Sequence, residues 1–310
     1  MESGCLSPDL VRERVVGTVE VAREFGTQVP LDRLVELMPE GGPGTPKDLA
    51  AWIRAHPEWA RIASDRAAPP EAPAFEPTQH RRERANRYWQ AAESLTDSES
   101  TVMGPWLRFL AVTGSTAYGE PEEGDDCDLM AVVRPGTVWV FLALMFARLR
   151  MRRSVPAVSP DPPWCLNYVL DERAAITTYG RPRGFLFARE ALVVRPVRGG
   201  DYYRSLLRRA GWLGQEAPRL YARWDTDTAA EPAEPGRAPL TVRGLNLLMF
   251  PLVAFYLQLK GLWHNHRLRG TGEYERGFRT VTRLDRMVLE TRKFERLSTQ
   301  MRPASRLSPE

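Results

Sequence analysis

Two apolar runs, separated by a glycine turn and an acidic loop, constrain this chain more than any other feature. Leu107 to Thr113 ends in Gly114-Ser115; Glu120, Glu122, Glu123 and Asp125 follow; then Asp126-Cys127-Asp128 opens a second apolar run that lasts to Val133. Short apolar runs bounded by turn residues read as buried strands. Thr137 to Arg150 is an apolar helix, and Cys165 to Leu170 a third strand. Strand, turn, strand, helix, strand predicts an α/β core, more closely a small mixed-sheet α+β core with helical flanks.

Successive side chains of a strand alternate faces, so Asp126 and Asp128 point the same way and Cys127 the other. Two carboxylates on one face repel each other unless a cation lies between them, and hard oxygen ligands favour Mg²⁺ or Mn²⁺. Gly114 lets backbone N–H groups approach phosphate oxygens, and the Ser115 hydroxyl can donate to them. Phosphates, a divalent cation and an acceptor brought together are the setting for in-line phosphoryl or nucleotidyl transfer.

Thr113-Gly114-Ser115, ten intervening residues and Asp126-Cys127-Asp128-Leu129 resemble the signature of the polymerase-β-like nucleotidyltransferase superfamily. The likeness extends over about 85–221. It implies that Gly114 and Ser115 hold the phosphates of an NTP such as ATP and that Asp126 and Asp128 bind Mg²⁺ or Mn²⁺ and carry catalysis. It also implies a third carboxylate on the next strand, as metal ligand or as base on the acceptor. That strand reads Leu166-Asn167-Tyr168-Val169-Leu170-Asp171-Glu172. Asn167 is at its centre, able to ligate but not to take a proton. Asp171 is an even number of residues away, hence expected on the same face, and is the preferred catalytic candidate. Two functions stay open: transfer from an NTP to a small molecule, a protein or an RNA end, or a catalytically weak nucleotide-binding module coupled to an N-terminal DNA-binding unit.

The flanks are read more coarsely. Residues 1–65 have the period of short helices, with Thr45, Pro46 and Asp48 marking a helix start; a winged-helix unit and a plain helical cap both fit. Arg54 and Arg61 make a thin footprint for nucleic acid. A Pro-rich linker is expected at 66–80, the core at 81–224, an acidic Pro-rich linker at 225–239 and a helical region at 240–302. Leu245 to Trp263 is long enough to cross a bilayer, but Asn246, Pro251, Gln258 and Lys260 favour a buried helix, so a membrane is not an expected partner. No signal pattern opens the chain, and Cys5, Cys127 and Cys165 lack metal-ligand spacing, as in a cytoplasmic protein. His264-Asn265-His266 reads as a solvent-facing helix end, and Arg195, Arg198 and Arg204, near aromatic residues, as candidate contacts to nucleotide or acceptor. The net charge of +4 excludes little.

Overall fold

The computed structural model describes residues 8–24, 27–71, 78–97, 106–153, 162–228, 236–269 and 277–300. Cys5, residues 72–77 of the 66–80 stretch, residues 229–235 of the acidic linker and 301–302 lie outside them.

The N-terminal unit runs α1 (Pro8–Glu24), β1 (Val29–Pro30), α2 (Leu31–Glu36), α3 (Pro46–Ala55), β2 (Arg61–Ala63) and β3 (Arg66–Ala68). Val11, Val15, Val19 and Ala22 give α1 its buried stripe. The start of α3 is a capping box: Thr45 Oγ1 accepts from Asp48 N at 3.2 Å and Thr45 N donates to Asp48 Oδ2 at 3.1 Å. The three strands form an antiparallel sheet in the order β1-β3-β2. The unit is therefore mixed helix and strand and not purely helical. The unit runs through Ala68, so Arg66 to Ala68 are not linker. Those residues show no period because β3 is only three residues long, and its pairing with β1 and β2 defines it.

The second sheet is built from β4 (Leu107–Val112), β5 (Cys127–Val133), β6 (Trp164–Asp171), β7 (Arg195–Arg198), β8 (Phe278–Arg283) and β9 (Arg286–Thr291), in the order β7-β4-β5-β6-β9-β8. β4 and β5 are antiparallel, and β5 and β6 parallel. The connections are α5 (Gly114–Tyr118) between β4 and β5, and α6 (Val138–Arg153) between β5 and β6. α4 (Thr78–Asp97) precedes the sheet; α7 (Glu172–Tyr179), α8 (Phe185–Val193), α9 (Gly200–Arg209), α10 (Trp212–Glu216) and α11 (Pro218–Ala222) follow β6; α12 (Leu240–Leu268) precedes β8 and α13 (Arg292–Gln300) ends the described chain. The molecule is therefore α+β.

Both faces of the sheet are covered, so β4 and β5 are apolar nearly throughout. On one face Leu129, Ala131 and Val133 pack with Trp139, Phe141 and Leu142 of α6. On the other, Phe109, Met130 and Val132 belong to a cluster that continues through Tyr203 and Leu207 into Leu34, Leu49 and Ile53 of the N-terminal unit. The expectation of an all-helical region at 240–302 is corrected here. Phe278–Arg283 and Arg286–Thr291 form a hairpin, and β9 adds to β6.

Buried ion pairs cross between the two units. Arg66 Nη2 is 2.5 Å from Glu120 Oε1, with both side chains 8% exposed, and Arg14 Nη2 is 3.1 Å from Glu216 Oε2. Arg219 donates to the carbonyls of Val35, Gly42 and Pro43. Removing one partner of a buried pair strands the other and typically costs about 3–5 kcal/mol. Glu120→Ala is expected to destabilise the protein by that amount in denaturant unfolding. Deleting residues 1–71 uncovers the shared core as well, and the remainder is expected to lose its cooperative thermal transition. A fragment that melts as sharply as the whole chain contradicts the shared core.

Candidate functional site

β4 ends at a tight turn. Thr113 N donates to the Asp128 carbonyl at 2.9 Å, which locks the turn to the start of β5. Gly114 follows with φ +62°, and a Cβ built on it comes within 2.5 Å of Asp128 Oδ2. Only glycine lets the backbone lie this close to the carboxylate. The Ser115 hydroxyl donates to Asp125 Oδ2 at 2.9 Å, and the same oxygen accepts from Glu122 N at 2.8 Å. The acidic loop is held from outside by α4: Arg84 donates to the Pro121 carbonyl at 2.7 Å, Arg81 to the Glu120 carbonyl at 3.3 Å, and Tyr88 to the Asp125 carbonyl at 3.0 Å.

Asp126 is exposed and Asp128 half-buried. Cys127 is buried on the opposite face among Leu129 and Ala131, as the strand period requires, and burial pushes its thiol up to about 12. Residue Asp128 pairs in register with Cys165 on the parallel strand β6. Asp126, Asp128 and Cys165 each offer one ligand atom, all within 4.8 Å of one another. Burial raises Asp128 well above the ordinary carboxylate range, and the charges of Asp126 and Asp125 raise it further. Asp126 is raised too, by burial and by Asp125, while the Cys165 thiol and Lys260 of α12 act in the opposite direction. Because Asp126 keeps its outer edge in water, the Asp128 shift is the larger of the two. Burial and the two carboxylates raise the Cys165 thiol, so it stays protonated and bonds to Asp126.

The third position expected on β6 is corrected by its register. Leu129 pairs with Leu166 but Met130 with Tyr168, so Asn167 is the extra residue of a β-bulge. Leu166 and Val169 then share one face while Tyr168 and Leu170 pack on the other. Counting by twos from Asn167 to Asp171 fails across that bulge. Asp171 pairs with Val133, six residues along β6 from Cys165, roughly 20 Å at the usual strand rise. There it is the N-cap of α7, its Oδ1 accepting from Ala174 N at 2.8 Å. It shares no ion with Asp126 and Asp128. Four of the expected residues, Gly114, Ser115, Asp126 and Asp128, are brought together; Asn167 is half-buried at the bulge, and Asp171 is remote.

Asp125, Cys165, Lys260 and Glu190 were missed in the sequence. Glu190, on α8, accepts from the Tyr118 hydroxyl at 2.8 Å, and its charge also raises Asp128. Arg195 stacks 4.2 Å over Trp89, and Arg204 pairs with Asp201. His264 stacks on Phe278, so only His266 of the pair is solvent-facing.

No family model, curated protein or solved structure matches this chain.

Proposed function

We propose that the chain transfers a nucleotidyl group from an NTP to an acceptor, using a divalent cation held by Asp126 and Asp128. The observation that carries this reading is the close approach of Gly114 to Asp128: at φ +62° the bare backbone of the turn lies directly against the inner carboxylate, with no room for a side chain. Two carboxylate oxygens suit Mg²⁺ or Mn²⁺, and the adjacent thiol of Cys165 is a softer donor that favours Mn²⁺ over Mg²⁺. A cation there neutralises charge on the phosphates and on the leaving group. The turn N–H groups and Ser115 orient the triphosphate, which replaces Asp125 as acceptor of the Ser115 hydroxyl. The acceptor oxygen or nitrogen attacks the α-phosphorus, the bond to the β-phosphate oxygen breaks, and pyrophosphate leaves. This reading gives the acceptor proton to Glu190, since β6 brings no carboxylate to the pair.

A second reading is favoured by β6, which sets Cys165 opposite Asp128 and brings no carboxylate to the pair. A site without that group binds a nucleotide and does not turn it over. The N-terminal unit would then read the state of the site. Its helix α3 exposes only Lys47 and Arg54 as cations, a weak surface for nucleic acid.

Incubation of the protein with α-labelled NTPs, Mg²⁺ or Mn²⁺, and cell fractions of RNA, protein and metabolites separates the two. Label in one fraction, absent with Asp126→Asn, supports transfer. Retained nucleotide without label transfer supports the second reading. Asp171→Ala is expected to leave transfer unchanged and to lower stability by about 0.5–2 kcal/mol through the lost cap. Loss of transfer in a variant that melts normally contradicts the position assigned to Asp171.

A further inference from the structure

The sequence places Leu245 to Trp263 in a buried helix, and the structure corrects this. α12 packs by one side only, and 17% of its most apolar stretch is buried. Leu245, Leu248, Leu252, Phe255, Leu259 and Leu262 stand between 45% and 66% exposed. Their spacing is three, four, three, four, three, the a and d positions of successive heptads. Tyr256 and Trp263, also exposed, widen the stripe on one side.

The geometry points to this stripe as the seam of a homodimer in which two copies of the chain pack their α12 helices antiparallel. The opposite side of α12 is tied down at three levels. Asn246 Oδ1 accepts from Trp139 N at 2.8 Å, Gln258 donates to the Thr280 carbonyl at 2.9 Å, and Asn265 exchanges two hydrogen bonds with the backbone of Phe278. The leucine stripe is thereby fixed outward. By length and composition the helix is able to cross a membrane, but spanning one requires breaking all three attachments and placing their amides in hydrocarbon.

The area is what a stable dimer needs. Phe255, Tyr256 and Trp263, each more than half exposed, leave on the order of 300 Å² open. With the leucines the stripe reaches the order of 800 Å² that each partner of a stable complex buries. A typical monomer has no apolar patch of this size. An a/d leucine seam is complementary to itself and needs no second kind of protein.

Charge sets the orientation. α12 holds Arg243, Lys260 and Arg267 and no acidic residue. A parallel pair would bring each cation to its own copy. In an antiparallel pair crossing between Leu252 and Phe255, Leu245 meets Leu262 of the second copy, Leu248 meets Leu259, and Leu252 meets Phe255. Arg243 then lies beside His264 and Lys260 beside Leu247, and the helix dipoles oppose each other favourably.

Sedimentation velocity at micromolar concentration is expected to give twice the chain mass for the full protein and the single mass for Phe255→Glu, with unchanged far-UV dichroism and a melt that stays cooperative but no longer depends on protein concentration. Under mild oxidation, a double variant with Leu245→Cys and Leu262→Cys is expected to cross-link between copies, and Leu248→Cys alone is not. A monomeric wild type, including one that floats with phosphatidylcholine or anionic vesicles, overturns the proposal. So does a dimer indifferent to Phe255→Glu, and cross-linking of Leu248→Cys overturns the antiparallel arrangement.

Discussion

Gly114→Ala is expected to abolish NTP-dependent activity while leaving a folded protein. Two costs coincide at this position. An L side chain at φ +62° is strained by about 1–2 kcal/mol. The added methyl also meets Asp128 Oδ2 at 2.5 Å, so either the turn or the carboxylate has to move. Asp128 is held by the paired strands β4, β5 and β6, so the turn yields and its N–H groups swing away from the phosphates. Displacement of about 1 Å in a reacting constellation costs roughly 10²-fold in rate. Turnover measured beside a thermal melt checks this. Normal turnover in Gly114→Ala would remove the turn from the account.

Asp128→Asn is expected to have the opposite effects on stability and on function. The metal-free protein holds Asp128 against its own solvation and against Asp126 and Asp125, which is why its carboxyl is raised. The folded chain therefore keeps a proton that the unfolded chain releases near pH 3.9. Stability is fully present below that value and falls as pH rises through the raised one. Asp128→Asn removes this slope and melts higher than wild type at neutral pH without metal. It is also expected to lose the stabilisation that Mn²⁺ with NTP gives, and all transfer. Melting curves from acid to neutral pH, with and without Mn²⁺ and NTP, test both halves. A wild-type profile no steeper than that of Asp128→Asn contradicts the electrostatic half.

The parts of the site that are local in the chain were legible from the sequence. Strand period alone puts Asp126 and Asp128 on one face and Cys127 on the other, and a glycine after an apolar run marks the turn. The parts that depend on register were not. One extra residue at Asn167 shifts every later side chain of β6 to the other face, and no composition signal marks a bulge. Asp171 lies at the far end of the strand as a helix cap, and the residue paired with Asp128 is Cys165, which carries no metal-ligand spacing. Glu190 and Lys260 reach the site from α8 and α12, far along the chain. The flanks were legible to different degrees. Thr45, Pro46 and Asp48 named the start of α3, but β3 is too short to show a period. The β8–β9 hairpin, FRTVTRLDRMVLET, is rich in arginine and hides its alternation. α12 is apolar on nearly every side, so hydropathy could not tell the face packed on α6 from the one left in water.

Asp126 and Asp128 are proposed to hold one divalent cation together, beside the Gly114 turn. The electron paramagnetic resonance signal of free Mn²⁺ tests this most directly, because the signal falls as the ion binds. With wild type it is expected to fall to one bound ion per chain, and more steeply when a non-hydrolysable NTP is added. With Asp126→Asn or Asp128→Asn it is expected to stay near that of free Mn²⁺ under both conditions. Equal loss of signal in wild type and both variants would contradict the claim.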